Sequence, residues 1–158
     1  NLTGSERILE IGTFTGYSSV AMAEEISDIG EIHTCELMEK HAQTAKKMWK
    51  GSNVEDRIII HIGDAIESIE EFKTESFDLI FIDGNKEQYL DYYKKSIYLI
   101  KTKGIIVLDN MLWSGSVLDP KDNESKILNS CNDYIKNDSR TKNILLPIRD
   151  GLMICQKI

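Results

Sequence analysis

Proline and cysteine are scarce in this chain, and no stretch of it stays apolar for long. With 2 prolines and 10 glycines in 158 residues, a disordered, collagenous or low-complexity chain is excluded. The three cysteines, Cys35, Cys131 and Cys155, are odd in number and widely spaced, with no Cys-x-x-Cys pair. That argues against a disulfide framework and for a reduced, cytoplasmic protein. No apolar run approaches the ~18–20 residues of a membrane span, and no basic start leads into an apolar stretch as in a signal peptide. No membrane partner is expected. Positive charge is short as well: 19 Lys and Arg stand against 26 Asp and Glu, a net charge of −7. Such a surface repels polyanions, which disfavours generic nucleic-acid binding.

What is present is the balance of a globular domain, 41% hydrophobic and 28% charged, with length for a single core. Short β-rich runs alternate with helical patterns. Strands are predicted at Arg7–Ile11, Glu31–Glu36, Ile58–His61, Phe77–Ile82 and Gly104–Leu108. Helices are predicted over 17–26, 40–50, 65–72 and 87–100. The runs IIIH, FDLIFI and GIIVL are apolar at every position but one, as strands covered on both faces should be. After Leu108 a polar loop over 110–123 leads to a helix over 124–137. Two strands over 143–146 and 152–156 then flank a tight turn, Arg149-Asp150-Gly151, and should form an antiparallel hairpin. Repeated β-then-α units demand a mostly parallel sheet, so the fold class is α/β in one domain spanning residues 1–158. Ligands of such sheets bind at the carboxyl ends of the strands.

The first strand runs into Glu10-Ile-Gly12-Thr13-Phe-Thr-Gly16-Tyr17-Ser18. Two glycines there permit a sharp turn and close approach of a ligand to the backbone at a helix N-terminus. The spacing is not Gly-x-Gly-x-x-Gly, which disfavours a nicotinamide dehydrogenase. Glu36, with Leu37 after it, ends the second strand, where an acid can accept hydrogen bonds from both ribose hydroxyls of a nucleoside cofactor. Gly63-Asp64-Ala65 follows the third strand. Asp64 either lies near an adenine amino group or caps the next helix. The fourth strand ends in Asp83-Gly-Asn-Lys86 and the fifth in Asp109-Asn110. If these two strands are neighbours, about 4.8 Å apart, both carboxylates and the Asn110 amide oxygen converge. Hard oxygen ligands with open positions suit Mg²⁺ or Mn²⁺. His33, His41 and His61 fit no ligand spacing and read as surface or packing residues.

In chain order, the Glu10–Ser18 loop, Phe81-Ile-Asp-Gly-Asn-Lys86 with Tyr89 and Tyr92, Asp109-Asn-Met-Leu-Trp-Ser-Gly-Ser-Val117 and Leu146-Pro-Ile-Arg-Asp-Gly151 resemble the cation-dependent O-methyltransferases of the caffeoyl-CoA and catechol type. The resemblance implies a doubly wound, Rossmann-like methyltransferase fold with a seven-stranded sheet. It implies S-adenosylmethionine as donor and Mg²⁺, Mn²⁺ or Ca²⁺ as cation. By it, Glu10, Gly12, Thr13, Gly16, Tyr17, Ser18, Glu36, Leu37, Gly63, Asp64, Ala65 and Asp83 match cofactor positions, and Asp83, Asp109 and Asn110 match the metal ligands. Lys86 matches a general base, with Asp83 beside it in the catalytic centre. Trp113 would wall the acceptor ring or pack the loop.

Three departures accompany the match. Asp83-Gly-Asn-Lys86 stands where family members usually carry Asp-Ala-Asp-Lys. The segment after Trp113 is short beside plant relatives. The first strand begins near Asn1, whereas family members carry N-terminal helices upstream. The expected partner is a small hydroxylated acceptor, and the resemblance implies a homodimer for the full-length protein. Two rival readings are a transfer-RNA methyltransferase of the same family, acting on a wobble hydroxyuridine, and a non-catalytic cofactor-binding module.

Overall fold

Each of the first four strands is followed by a helix, the crossover a parallel neighbour requires. A computed structural model describes residues 3–158; Asn1 and Leu2 lie outside the described residues. The order is β1 (Arg7–Ile11), α1 (Tyr17–Glu25), β2 (Glu31–Glu36), α2 (Glu39–Trp49), β3 (Ile58–Ile62), α3 (Ala65–Glu70), β4 (Phe77–Ile82), α4 (Tyr89–Leu99) and β5 (Ile100–Leu108). Then come α5 (Asn123–Lys136), β6 (Thr141–Leu146) and β7 (Leu152–Lys157). The strands form one sheet in the order β3-β2-β1-β4-β5-β7-β6. The first five are parallel, and β7 lies antiparallel between β5 and β6. This is the doubly wound sheet with a terminal hairpin that the sequence predicts. The chain winds from β1 outward to β3, then returns to place β4 on the other side of β1. The switch point therefore lies between β1 and β4.

Alternation along β1 divides the core. Ile8 faces α1 and α2, where it packs with Ala23, Ile26, Ala45, Trp49 and Val54. Leu9 and Ile11 face the other way and join Tyr89, Tyr93, Ile97, Leu128 and Cys131 from α4 and α5. Each fully buried large aliphatic chain contributes roughly 1.5–3 kcal/mol relative to exposure. Helix α5 shows how its sequence dictates this. Ser125, Leu128, Cys131 and Ile135 form its buried stripe, and Asp122 caps its start by accepting from Ser125 N at 2.9 Å. All three cysteines are buried and free, and burial pushes each thiol up to about 12. Among the described residues no helix is long and apolar enough to cross a membrane.

Three expectations are corrected. The apolar run of β3 is not covered on both faces. β3 is an edge strand, with Ile59 and Ile62 exposed. Also, β5 starts at Ile100 rather than Gly104, because Phe77 pairs with Ile100 across a register irregularity that absorbs the polar Lys101-Thr-Lys103 stretch. Helix α4 begins at Tyr89, after a 3-10 turn over Lys86–Gln88.

Candidate active site at the carboxyl ends of the strands

The strand ends β2, β1, β4 and β5 lie side by side, and backbone bonds continue the ladder past them. Gly12 N and Thr13 N donate to the Cys35 carbonyl at 3.0 and 3.2 Å, Asp83 N to Ile11 O at 2.8 Å, and Asp109 N to Ile82 O at 3.0 Å. Gly12, Asp83 and Asp109 thus stand in a row.

Both loop glycines are required by the protein's own packing. Gly12 has φ +107°, and a Cβ there would sit 2.3 Å from the Asp83 carbonyl oxygen. Gly16, at φ +81°, would put its Cβ 2.7 Å from the Trp49 ring. Beneath the loop Glu10 is fully buried. Its carboxylate accepts from the hydroxyls of Ser18, Ser19 and Thr34, and Thr34 in turn meets Thr13 Oγ1 at 2.6 Å. Burial raises the Glu10 carboxyl above its ordinary value against the pull of those hydroxyls. Glu10 therefore ties Ser18 and Thr13 together from below. Tyr17 and Phe14 are exposed on the outer side of the loop.

Glu36 is held at the next strand end. It accepts from Phe14 N and Met38 N, each at 2.8 Å, and His41 Nδ1 stands 3.3 Å from its Oε1. A carboxylate offers about four acceptor sites, so a lone pair on Oε2 is left for a further donor. Leu37 beside it is exposed. At the end of β3, Gly63 has φ +138° with nothing within 4 Å of an added Cβ. Asp64 takes the capping role: Oδ1 accepts from Ile66 N at 2.7 Å, and Oδ2 from Gln88 Nε2 at 3.3 Å. Ala65, buried, is the first residue of α3.

Asp83 and Asp109 follow register partners, since Ile82 pairs with Leu108. The structure brings these carboxylates and Asn110 to adjacent strand ends. Asp83 Oδ1 is paired with Lys86 Nζ at 2.9 Å, and Asp109 Oδ1 accepts from Asn110 N at 2.7 Å. Lys86 is only 10% exposed, against 41% for Asp83. Its ammonium also donates to the Tyr89 hydroxyl and lies 4.4 Å from the Tyr89 ring centre and 6.0 Å from that of Trp113. The Tyr89 hydroxyl donates to the Asp109 carbonyl at 3.1 Å, and burial raises its pKa beyond the usual phenol range. Lys86, Tyr89 and Trp113 thus surround the two acidic strand ends. A separate groove of about 650 Å³ runs along α4 past Lys94, Tyr98 and Arg140, and of the residues singled out in the sequence it includes only Asp64.

His41, Gln88 and Tyr89 belong to this centre although sequence reasoning gave them no role in it. His41 is a partly exposed packing residue as expected, edge-on to Phe14, and it also faces Glu36. The available signal was position: each lies in the helical turn just after a strand-end loop, where the chain folds back over the strand end.

A model of the O-methyltransferase family matches residues 1–158. The chain belongs to that family. It is 31% identical to the mouse catechol O-methyltransferase domain-containing protein 1, with 99% of this chain and 62% of that protein covered. It is 34% identical to caffeoyl-CoA O-methyltransferase 1 of Eucalyptus globulus, over 99% of this chain and 69% of the relative. The chain thus spans under two thirds of the mouse protein's length and little more than that of the plant one. Among solved structures, the O-methyltransferase from Bacillus cereus in complex with S-adenosylhomocysteine superposes with a TM-score of 0.91 at 29% identity, covering 99% of this chain and 76% of that one. Between Asp83 and Lys86 stand Gly84 and Asn85. A Cβ at Gly84 would lie 3.2 Å from both Ile11 Cγ2 and the Tyr92 ring, a tight but not prohibitive fit.

Proposed function

We propose that this chain transfers the methyl group of S-adenosylmethionine to a hydroxyl oxygen of a small catechol-like or phenolic acceptor, with a divalent cation at Asp83, Asp109 and Asn110. The observation that carries this reading is the gathering of those three residues with Lys86 and Trp113 beside the glycine loop and Glu36. The donor set fits a hard cation: two carboxylates and an amide oxygen. Among the described residues, no group of three or more His, Cys, Asp or Glu offers a competing centre. The S-adenosylhomocysteine in the Bacillus relative supports the donor, and the names of the mouse and Eucalyptus relatives support the acceptor class.

In this reading the free lone pair on Glu36 Oε2 receives a ribose hydroxyl, and Gly63, Asp64 and Ala65 border the base. Ser18 and the backbone of Gly12 and Thr13 face the amino-acid end, with Gly16, Tyr17 and Leu37 completing the rim. Trp113 walls the acceptor, which must lie in line with the methyl carbon and the sulfur. A bound cation would hold two vicinal acceptor oxygens and lower the pKa of one. The acceptor oxygen forms its bond to carbon as the carbon–sulfur bond breaks, and that electron pair returns to sulfur as a neutral thioether. The hydroxyl proton goes to Lys86 Nζ, which stands between Asp83 and Tyr89 and must first release its own proton, since only the neutral amine carries a lone pair to accept one.

The test is methyl transfer from labelled donor to catechols, phenylpropanoid-CoA esters and hypomodified transfer RNA. Each acceptor is assayed with Mg²⁺ and with EDTA. Labelling of a small phenolic acceptor that stops in EDTA is expected. Labelling of transfer RNA alone, labelling indifferent to EDTA, or donor binding without transfer to any acceptor would each overturn the reading. A net charge of −7 speaks against the transfer-RNA outcome.

A further inference from the structure

The loop after β5 holds a costly backbone conformation. Asn110, Trp113 and Ser114 have φ of +60°, +46° and +52°, and Gly115 follows at +85°. A bulky residue such as Trp rarely adopts positive φ, and such a conformation persists only where the surroundings over-determine it. The surroundings here come from two sides. From α5, Asn132 Nδ2 donates to Met111 O and Asn129 Nδ2 to Val117 O, both at 2.8 Å. From the β6–β7 turn, Gly151 O accepts from Met111 N at 3.0 Å and Asp150 O from Leu112 N at 2.8 Å. The Asp150 side chain adds one more bond: its Oδ1 accepts from the backbone N–H of Ser114. Ser114 is itself exposed, so without that carboxylate its N–H would turn to water.

We propose that Asp150 is a positioning residue. Its carboxylate braces the Asn110–Gly115 loop and so fixes where Asn110 and Trp113 stand. Two features make this more than a hairpin turn. The turn touches the loop through both main chain and side chain. Gly151, at φ +88°, lets the chains approach so closely that a Cβ there would lie 2.6 Å from Leu112 Cγ. The tip of the hairpin is therefore built against this loop, and its Arg149-Asp150-Gly151 sequence has a role beyond reversing the chain. The brace rests on the proposed function only in its catalytic consequence; its structural consequence is read without any ligand.

Trp113 reports on its own loop. In a Trp49→Phe background it is the sole tryptophan, since the chain contains 2. Asp150→Ala should raise the acrylamide quenching constant of Trp113 by roughly twofold or more as the loop gains motion. Asp150→Asn keeps an oxygen that can accept from Ser114 N, and should quench like its parent. An unchanged constant in Asp150→Ala, or an equal rise in both variants, would overturn the proposal. Amide exchange in the unmutated protein gives a second reading that no folding defect can confuse. The exposed Ser114 amide should exchange roughly tenfold or more slowly than an unstructured one, and exchange at the unstructured rate would overturn it equally. In methyl transfer, Asp150→Ala should raise acceptor KM by roughly tenfold while S-adenosylhomocysteine affinity stays within about twofold, and Asp150→Asn should restore KM. An equal loss of donor affinity would mark a general structural defect and also sink the brace. Failure of the unmutated protein to bind S-adenosylhomocysteine would instead count against the proposed function, and quenching and exchange would still decide the role of Asp150.

Discussion

Gly12 and Gly63 both sit at positive φ, +107° and +138°, but for different physical reasons. At Gly63 only the backbone conformation resists a side chain, since the space beside it is open. At Gly12 a Cβ would also strike the main chain of β4, 2.3 Å from Asp83 O, and main chain cannot swing away as a side chain can. Gly63→Ala should therefore cost about 1–3 kcal/mol of strain. Gly12→Ala should cost about 3–5 kcal/mol, strain plus overpacking. Urea unfolding of the two variants measures the difference, and equal losses would mean that conformation alone fixes Gly12. The sequence reads Gly12 and Gly16 as permitting a sharp turn and close approach of a ligand. At Gly12 and Gly16 the crowding partners are Asp83 and Trp49, distant residues that no local pattern could name. Legible by contrast were Asp83, Lys86, Asp109 and Asn110, because strand-end position in an open parallel sheet is readable from strand pattern alone.

Between elements, β2 and β3 are joined by an imidazole pair. His33 Nδ1 lies 3.0 Å from His61 Nε2, and the rings of Phe72 and Phe77 close over His33. Burial lowers both pKa values from their ordinary 6.5. At His33 the Glu31 carboxylate opposes this, while Arg7 and His61 add to it; at His61 Glu71 opposes it. Both rings are thus held neutral in the fold, and below about pH 6.5 the unfolded chain binds protons that the folded one refuses. Their stabilising share is whole above that pH and drains away as pH falls through the lowered folded values. The urea midpoint should drop between about pH 7.5 and pH 5 more steeply in the unmutated protein than in a His33→Gln, His61→Gln double variant. Parallel pH profiles would dispose of the idea. This pair was invisible in the sequence, which showed only that the histidines lack ligand spacing. The same holds for the edge position of β3: a run such as IIIH reads alike at the centre and at the rim, because strand order is set by crossovers and not by the strand itself. The start of β5 was missed for a related reason. Lys101-Thr-Lys103 looks like a polar turn until Phe77 is seen to pair with Ile100 beyond it.

Across the whole molecule, the proposed function gives the two halves of the sheet different tasks, with the switch between β1 and β4 as their seam. Glu36 and the glycine loop belong to the β1–β3 half, and Asp109, Asn110 and Trp113 to the β4–β7 half. One sheet joins them, so a ligand of either half should stabilise the entire chain by mass action. At about 100 times its Kd, S-adenosylhomocysteine should add about 2.7 kcal/mol. For a chain of this size that is a rise in Tm of roughly 5–10 °C. Mg²⁺ should give a separate rise, absent in EDTA. If Glu36 holds the ribose as proposed, Glu36→Ala removes a hydrogen bond worth about 1.5–3 kcal/mol when the acceptor is charged, and should lose most of the first shift while keeping the second. If Asp109 is a metal ligand as proposed, Asp109→Ala should do the reverse, with no return of the Mg²⁺ shift at any ordinary metal concentration. Thermal scans of the three proteins without ligand, with S-adenosylhomocysteine, with Mg²⁺ and with Mg²⁺ plus EDTA decide the matter without an acceptor. If Asp109→Ala kept its Mg²⁺ shift, the cation would not sit at the end of β5. If Glu36→Ala kept its S-adenosylhomocysteine shift, the ribose would have to lie elsewhere than beside β2, and the division of labour across the seam would fail with it.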